Sequence, residues 1–330
     1  MIITGKYPKL RMRRSRKEDW SRRLIRENTL SGSDFVLPIF LTDGKNKKIG
    51  IKSMNGVYRY SIDNISKIID KALKNKVPMI ALFPHTNTKL KNVNGSEAFN
   101  ENNLVSKAIV AIKNKYKNHI GIMCDVALDP YTSHGHDGLI KKKEILNDET
   151  IKILIKQSLM QAQMGCDVIA PSDMMDGRVG IIRSHLEKNG FTETCIMSYA
   201  AKFCSSYYGP FRDAIGASSH KPIDKSGYQL SPNNFREAVR ELELDFEEGA
   251  DIMMVKPAEP FLDVIHYARN HFPVPIAAYQ VSGEYSRITA AGLNGWLDAE
   301  RCAIESLTSI KRAGADIILT YFAEKVSAII

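Results

Sequence analysis

Apolar residues along the chain gather into eight short runs, each closed by a polar or turn-forming residue. They are Phe35-Val-Leu-Pro-Ile-Phe40, Met79-Ile-Ala-Leu-Phe83, Ile120-Gly-Ile-Met-Cys-Asp-Val-Ala-Leu128, Val168-Ile-Ala170, Cys195-Ile-Met-Ser-Tyr199, Ile252-Met-Met-Val255, Ile276-Ala-Ala-Tyr279 and Ile317-Ile-Leu-Thr-Tyr321. Short runs without alternation are the pattern of strands buried on both faces, as in a parallel sheet. Between them, residues 62–75, 102–116, 150–164, 233–249, 261–271 and 298–313 repeat apolar positions at i, i+3 and i+4, which predicts helices. Ser231-Pro232-Asn233 reads as a helix start, and Gly165, Gly249 and Gly314 follow helices before the next strand. Eight strands alternating with helices predict a closed (β/α)8 TIM barrel rather than two stacked doubly wound domains. No linker or shift of composition divides the chain after the first 30 or so residues. Residues 1–30 are expected to form an extended arm, and 31–330 one catalytic barrel.

Composition narrows this picture. A length of 330 residues suits a barrel with insertions, and 44% hydrophobic residues suffice for a large core. No apolar run approaches ~18 residues, so no membrane span is expected. The opening Met1-Ile-Ile-Thr-Gly-Lys-Tyr-Pro lacks the pattern of a signal peptide, which points to a cytoplasmic protein. Cys124, Cys166, Cys195, Cys204 and Cys302 are odd in number, scattered and never spaced C-x-x-C, which argues against a disulfide framework or a cysteine zinc site. Charge is concentrated at one end. Residues 1–26 hold ten basic and two acidic side chains, which is +8 of the formal +9. Such an arm can bind nucleic acid, lie on a neighbouring subunit or be solvated. No repeat or aromatic stacking pattern accompanies it, so subunit contact ranks first and nucleic acid is not expected.

The candidate chemistry lies at strand ends. Lys256 ends the sixth run and is followed by Pro257, which cannot donate to a ladder. A lysine there either snorkels into water or sits desolvated at the mouth of an apolar core. Lowering its pKa from ~10.4 to near 7 costs roughly 4–5 kcal/mol and yields a neutral amine, a Schiff-base nucleophile. The barrel reading favours the second account. The C-terminal strand ends collect Asp125, Ser172, Asp173, Lys202, Lys256, Tyr279, Ser282 and Tyr321, where barrel active sites form. Two lysines on adjacent strands raise the cost of charging each other. One suffices for a Schiff-base aldolase, which stands as the alternative reading. A second is either an acid–base helper or the anchor of a second carbonyl substrate. The segment from Lys202 to Gln229 carries Gly209, Pro210, Gly216 and Gly227 without a long apolar period, and reads as a long loop over the mouth, the usual place for a lid. On it, Arg212 offers a fork for a carboxylate and Lys225 a point charge.

The chain resembles the porphobilinogen synthase (5-aminolevulinate dehydratase) family. The resemblance rests on Asp125-Val-Ala-Leu-Asp-Pro-Tyr-Thr-Ser-His-Gly-His-Asp-Gly138, Ala170-Pro-Ser-Asp-Met-Met-Asp-Gly-Arg-Val179, Tyr199-Ala-Ala-Lys-Phe203, Tyr208-Gly-Pro-Phe-Arg212, Met254-Val-Lys-Pro257 and Ala278-Tyr-Gln-Val-Ser-Gly-Glu-Tyr285. It implies a lyase of heme (tetrapyrrole) biosynthesis that condenses two 5-aminolevulinate molecules to porphobilinogen with loss of two waters. Lys256 would hold the propionate-side substrate as a Schiff base and Lys202 the acetate-side one. Ser282 and Tyr321 would bind the first carboxylate, and Arg212 with Lys225 the second. Many members have arginine at Lys225, so bidentate pairing is lost there. Asp125 and Ser172 would contact amino groups, Tyr208, Phe211 and Tyr279 would wall the pocket, and Gln229 joins the substrate contacts. Zinc-dependent relatives carry three cysteines where Ala127, Asp129 and Asp137 stand, so no active-site zinc is expected. Asp129 and Asp137 suit Mg2+, a monovalent cation or hydrogen bonds alone. His134 and His136 belong to the shared loop motif and read as structural. Glu237 matches the allosteric glutamate of magnesium-responsive relatives, where a hydrated Mg2+ would meet Arg11 or Arg13 of a neighbour's arm. The family's octamers, with arms wrapped on adjacent barrels, would explain the basic end.

Overall fold

The eight apolar runs become eight parallel strands in a computed structural model of the chain, which describes residues 5–217 and 224–330. They are β1 (Phe35–Thr42), β2 (Met79–His85), β3 (Gly121–Val126), β4 (Val168–Pro171), β5 (Cys195–Lys202), β6 (Ile252–Lys256), β7 (Ile276–Gln280) and β8 (Ile317–Thr320). Neighbours in sequence are neighbours in the sheet. Pairing of Phe35 with Ile318 and of Val36 with Leu319 joins β8 back to β1 and closes a (β/α)8 barrel. Closure leaves no barrel edge, and each strand is covered on both faces, which is why the runs do not alternate. All of β1 is buried.

The outer layer is formed by α1 (Ser66–Lys74), α2 (Leu104–Tyr116), α3 (Asn147–Gln163), α4 (Arg178–Lys188), α5 (Phe235–Glu247), α6 (Leu262–His271), α7 (Ser282–Leu293) and α8 (Ala299–Ala313). Six of these match the periodic segments. The periodic pattern did not predict α4 or α7, whose buried faces mix Arg178, Ser282 and Glu284 with Val179, Ile182, Leu186, Tyr285 and Ile288.

Two insertions matter at the mouth. After β1 the chain forms an antiparallel hairpin, Lys48–Gly50 with Tyr58–Tyr60, whose second strand pairs with the end of β1. After β5 the lid segment contains a short helix, Gly209–Ala214, where a loop was expected; Pro210 stands in its first turn, where its missing N–H costs nothing. Residues 218–223 of the lid segment lie outside the described residues. The arm from Gly5 to residue 30 holds two short helical turns, Met12–Arg16 and Asp19–Leu24, with only Ser21 buried in them. Tyr7, Met12, Trp20 and Leu24 are exposed. No helix among the described residues is long and apolar enough to cross a membrane. The five cysteines are free thiols.

Candidate active site

Lys202 ends β5 and Lys256 ends β6, and the two are register partners across the ladder. Neighbouring strands lie roughly 4.8 Å apart, so the side chains leave the sheet side by side at the C-terminal mouth. Both are buried, although each is ionisable. The two environments differ.

Lys256 stands in an aromatic box. Its Nζ lies 4.6 Å from the ring centre of Tyr279, 4.9 Å from Tyr199, 5.2 Å from Phe211 and 5.3 Å from Tyr208. Rings favour a cation by up to about 2 kcal/mol when desolvated. Burial and the nearby Lys202 charge outweigh Asp125, Asp129 and Asp137, and lower the Lys256 pKa to about 7. That drop from 10.5 is worth roughly 5 kcal/mol. Lys256 is therefore partly a free amine near neutral pH.

Lys202 stands among oxygens. Its Nζ is 3.1 Å from Asp137 Oδ1 and also donates to the Ser172 carbonyl. Lys225 lies on the other side of the same carboxylate, 2.6 Å from Asp137 Oδ2 and 3.6 Å from Asp129 Oδ2. The Tyr228 hydroxyl donates to Asp137 Oδ2 at 2.7 Å. Burial pushes the Asp137 carboxyl up, but Lys202, Lys225 and Tyr228 outweigh it and hold the group below the ordinary carboxylate range. Burial likewise lowers Lys225, yet Asp137 and Asp129 reverse the effect and keep it above the ordinary lysine value. Asp125 is half-buried. Burial and the Asp129 charge raise its carboxyl to about 6, against the pull of both lysines.

The remaining expected residues divide between these surroundings. Phe211 packs edge-on against Phe83 at 5.3 Å and tilts against Phe40 at 5.8 Å, and Tyr321 stacks on Phe40 at 5.8 Å. Tyr321 and Tyr279 share a hydroxyl hydrogen bond of 2.9 Å. Tyr208 donates to the Lys256 carbonyl at 3.2 Å. Ser282, the first residue of α7, is buried; its Oγ accepts from Phe211 N–H at 2.9 Å and donates to the Tyr207 carbonyl at 3.3 Å. Gly283 follows it because a Cβ there would stand 2.5 Å from the Tyr207 carbonyl oxygen. Ser172 follows β4, which lies between β3 and the lysine strands, and its N–H donates to the Val126 carbonyl at 3.0 Å. Arg212 is half-buried on the lid helix, close enough to oppose the Lys225 charge. His134 and His136 serve the loop: His136 Nδ1 meets the Tyr228 hydroxyl at 3.2 Å, and His136 N–H donates to His134 Nδ1.

Gln229 and Glu237 lie elsewhere, lining a polar cavity of about 300 Å³ with Asp176 and Glu241. Burial raises Glu241 to about 7, although Arg178 opposes it. Glu237 is exposed and accepts from Asn234 Nδ2 at 2.8 Å. Among the described residues no three His, Cys, Asp or Glu side chains converge as a metal cluster.

Sequence reasoning passed over Tyr228, Tyr199 and Arg178. Tyr228 is one turn from Lys225, whose carbonyl accepts from Tyr228 N–H, and only that spacing could have pointed to it. Arg178 braces the turn after β4 from within the core, paired with Asp245 at 3.1 Å and Asp173 at 3.7 Å.

Comparison with known proteins agrees with this geometry. Residues 9–329 match the family model described as Delta-aminolevulinic acid dehydratase. The protein of that name from Bradyrhizobium diazoefficiens is 54% identical over 316 residues, spanning 96% of this chain and 89% of its own. The one from Methanothermus sociabilis is 48% identical, spanning 97% and 98%. In three dimensions the chain is similar to the Toxoplasma gondii ME49 enzyme, crystallised in complex with its reaction product porphobilinogen. The TM-score is 0.94 at 41% identity, covering 97% of this chain and 91% of that one.

Proposed function

The chain belongs to the delta-aminolevulinic acid dehydratase family, and from that premise we propose how its own residues make porphobilinogen. It is a lyase of heme biosynthesis that condenses two molecules of 5-aminolevulinate. The observation that carries the residue assignment is the register pairing of two buried lysines, one of them with a pKa of about 7.

Lys256 and Lys202 each attack the ketone carbon of one substrate and expel its oxygen as water, which accounts for both waters lost. An imine makes its carbon electrophilic and the adjacent C–H acidic. The enamine carbon of one substrate then bonds to the imine carbon of the other. The amino group of one closes the ring on the remaining imine carbon, and both lysines leave as amines. Holding both reactants in one mouth removes up to roughly 7–11 kcal/mol of bimolecular cost. Lys256 takes the propionate-side substrate, with Ser282 and Tyr321 on its carboxylate and Tyr208, Phe211 and Tyr279 as walls. Lys202 takes the acetate-side substrate, with Arg212 and Lys225 toward its carboxylate. Asp125 and Ser172 meet amino groups, and a carboxyl near pKa 6 can exchange a proton at neutral pH.

Of the three readings open for Asp129 and Asp137, the contacts favour the one without a metal. Both Asp137 oxygens are taken by Lys202, Lys225 and Tyr228, so a divalent ion would have to displace an ammonium. Lys225 supplies the positive charge instead, and the chain falls in the branch without zinc cysteines. Glu237 suits a hydrated Mg2+ held through its waters, because it is exposed and lines a polar cavity; there the ion would act on conformation rather than on chemistry. The basic arm, residues 1–30, suits contact with neighbouring barrels in an octamer, since Tyr7, Leu10, Met12, Trp20, Leu24 and Ile25 on it are exposed. Free thiols fit a cytoplasmic location. Porphobilinogen formation by wild type, Lys202→Ala and Lys256→Ala tests the assignment. Either substitution abolishes turnover if both lysines hold substrate, whereas a one-lysine aldolase would survive Lys202→Ala.

A further inference from the structure

The lid helix Gly209–Ala214 is held at both ends. At its start, Phe211 N–H donates to Ser282, already placed in the site. Its other end has no part in the chemistry described so far, yet it is more heavily tied. Arg59, from the hairpin inserted after β1, donates through Nε to the Ala214 carbonyl at 2.6 Å and through Nη2 to the Asp213 carbonyl. It also lies 3.7 Å from the Asp213 carboxylate, with its side chain only 14% exposed. Ser53 of the same insertion donates to Asp213 Oδ2 at 2.7 Å, and Lys91 donates to the Gly216 carbonyl at 3.1 Å. A helix end leaves its last carbonyls without intrahelical donors, and here cationic side chains supply them. Gly216 seals the contact. Its φ is 67°, and a Cβ there would stand 2.7 Å from His85 Nε2.

The hairpin is itself anchored to the element that carries Ser282. Tyr285 of α7 donates to the Asn55 carbonyl at 2.6 Å, and Ser286 to the Ser53 carbonyl at 2.7 Å. Within Tyr58–Tyr60, Arg59 is itself the register partner of Phe40, on which both Phe211 and Tyr321 pack. The insertion therefore bridges α7 and the far end of the lid helix, and Arg59 is the side chain that completes the bridge.

We propose that Arg59 is a positioning residue for the reaction: by gripping the Asp213 and Ala214 carbonyls it holds Arg212 and Phe211 over the barrel mouth. It touches no substrate. It fixes the direction from which the Arg212 fork meets a carboxylate, and keeps the Phe211 wall against Lys256. A lid without this grip still forms but spends more time away from the mouth, so substrate binding suffers more than turnover. The role of Arg212 rests on the porphobilinogen synthase reading; the grip itself does not.

The test compares full-length wild type, Arg59→Ala and Arg59→Lys. Two measurements are made: steady-state kinetics with 5-aminolevulinate, and amide hydrogen exchange of peptides covering 205–217 and 35–42. In Arg59→Ala the KM rises about tenfold or more while kcat falls less than about threefold. Exchange in 205–217 speeds up while 35–42 stays protected. Arg59→Lys, which keeps the charge and one donor, recovers part of both effects and serves if the alanine variant fails to fold. Unchanged exchange in 205–217 in both variants overturns the proposal, as does a loss confined to kcat. If wild type makes no porphobilinogen, the catalytic reading fails, and the exchange comparison still decides whether Arg59 holds the lid.

Discussion

Lys202 and Lys256 are register partners because β5 holds one more residue than β6 between two successive pairings. Ser198 faces Met253 and Ala201 faces Val255, so three steps on β5 match two on β6. Without the extra residue, Lys202 would sit opposite Pro257. Insertions of this kind re-aim side chains beside active sites. The pairing sets the pH dependence. Burial and the Lys202 charge lower Lys256 to about 7, and the free amine is the reactive form. The acid limb of kcat/KM should therefore rise through about pH 7. A limb still climbing above pH ~9 would mean that Lys256 titrates as an ordinary lysine. In Lys202→Met the neighbouring charge is gone, so the pH dependence of borohydride trapping at Lys256 should move to higher pH.

Asp137 separates two ammonium groups, those of Lys202 and Lys225. Asp137→Asn leaves both buried cations without their common counter-charge. Removing one member of a buried ion pair costs roughly 3–5 kcal/mol. We expect urea denaturation to show a loss of that order, together with a fall in kcat of about 100-fold or more. Lys225→Met should instead act on binding, raising KM about tenfold with a smaller change in kcat. An unaltered KM would remove Lys225 from the carboxylate site.

The Arg178–Asp245–Asp173 cluster lies under the turn that presents the Ser172 carbonyl to Lys202. Burial raises Asp173 to about 6 even with Arg178 beside it. Arg178→Met strands two buried carboxylates, so stability at neutral pH should fall by about 3–5 kcal/mol by chemical denaturation. A loss below about 1 kcal/mol would show that the cluster relaxes freely.

Metal dependence separates the two acidic places. After EDTA, activity should persist without zinc and respond to added Mg2+, and Glu237→Gln should abolish that response while leaving basal turnover. Rescue by zinc alone would mean that Asp129 and Asp137 had been misread.

The barrel was legible because strands buried on both faces leave uninterrupted apolar runs, and all eight were visible. The ends of those runs also pointed to Lys202, Lys256, Asp125 and Ser282. What stayed hidden was polar and buried. Helices α4 and α7 escaped because Arg178 and Glu284 look like surface residues until their partners are known. Arg59 grips carbonyls some 155 residues away, and backbone carbonyls leave no trace in a sequence. The extra residue in β5 changes register without changing composition. Asp129 and Asp137 could be read as cation ligands, and that Lys225 lies beside both carboxylates is visible only in the fold.

The most direct test of the two-lysine account is borohydride reduction of the enzyme during turnover of 5-aminolevulinate, followed by mass spectrometry of the modified peptides. Reduced adducts on both Lys202 and Lys256 are expected. Adducts on neither would contradict it.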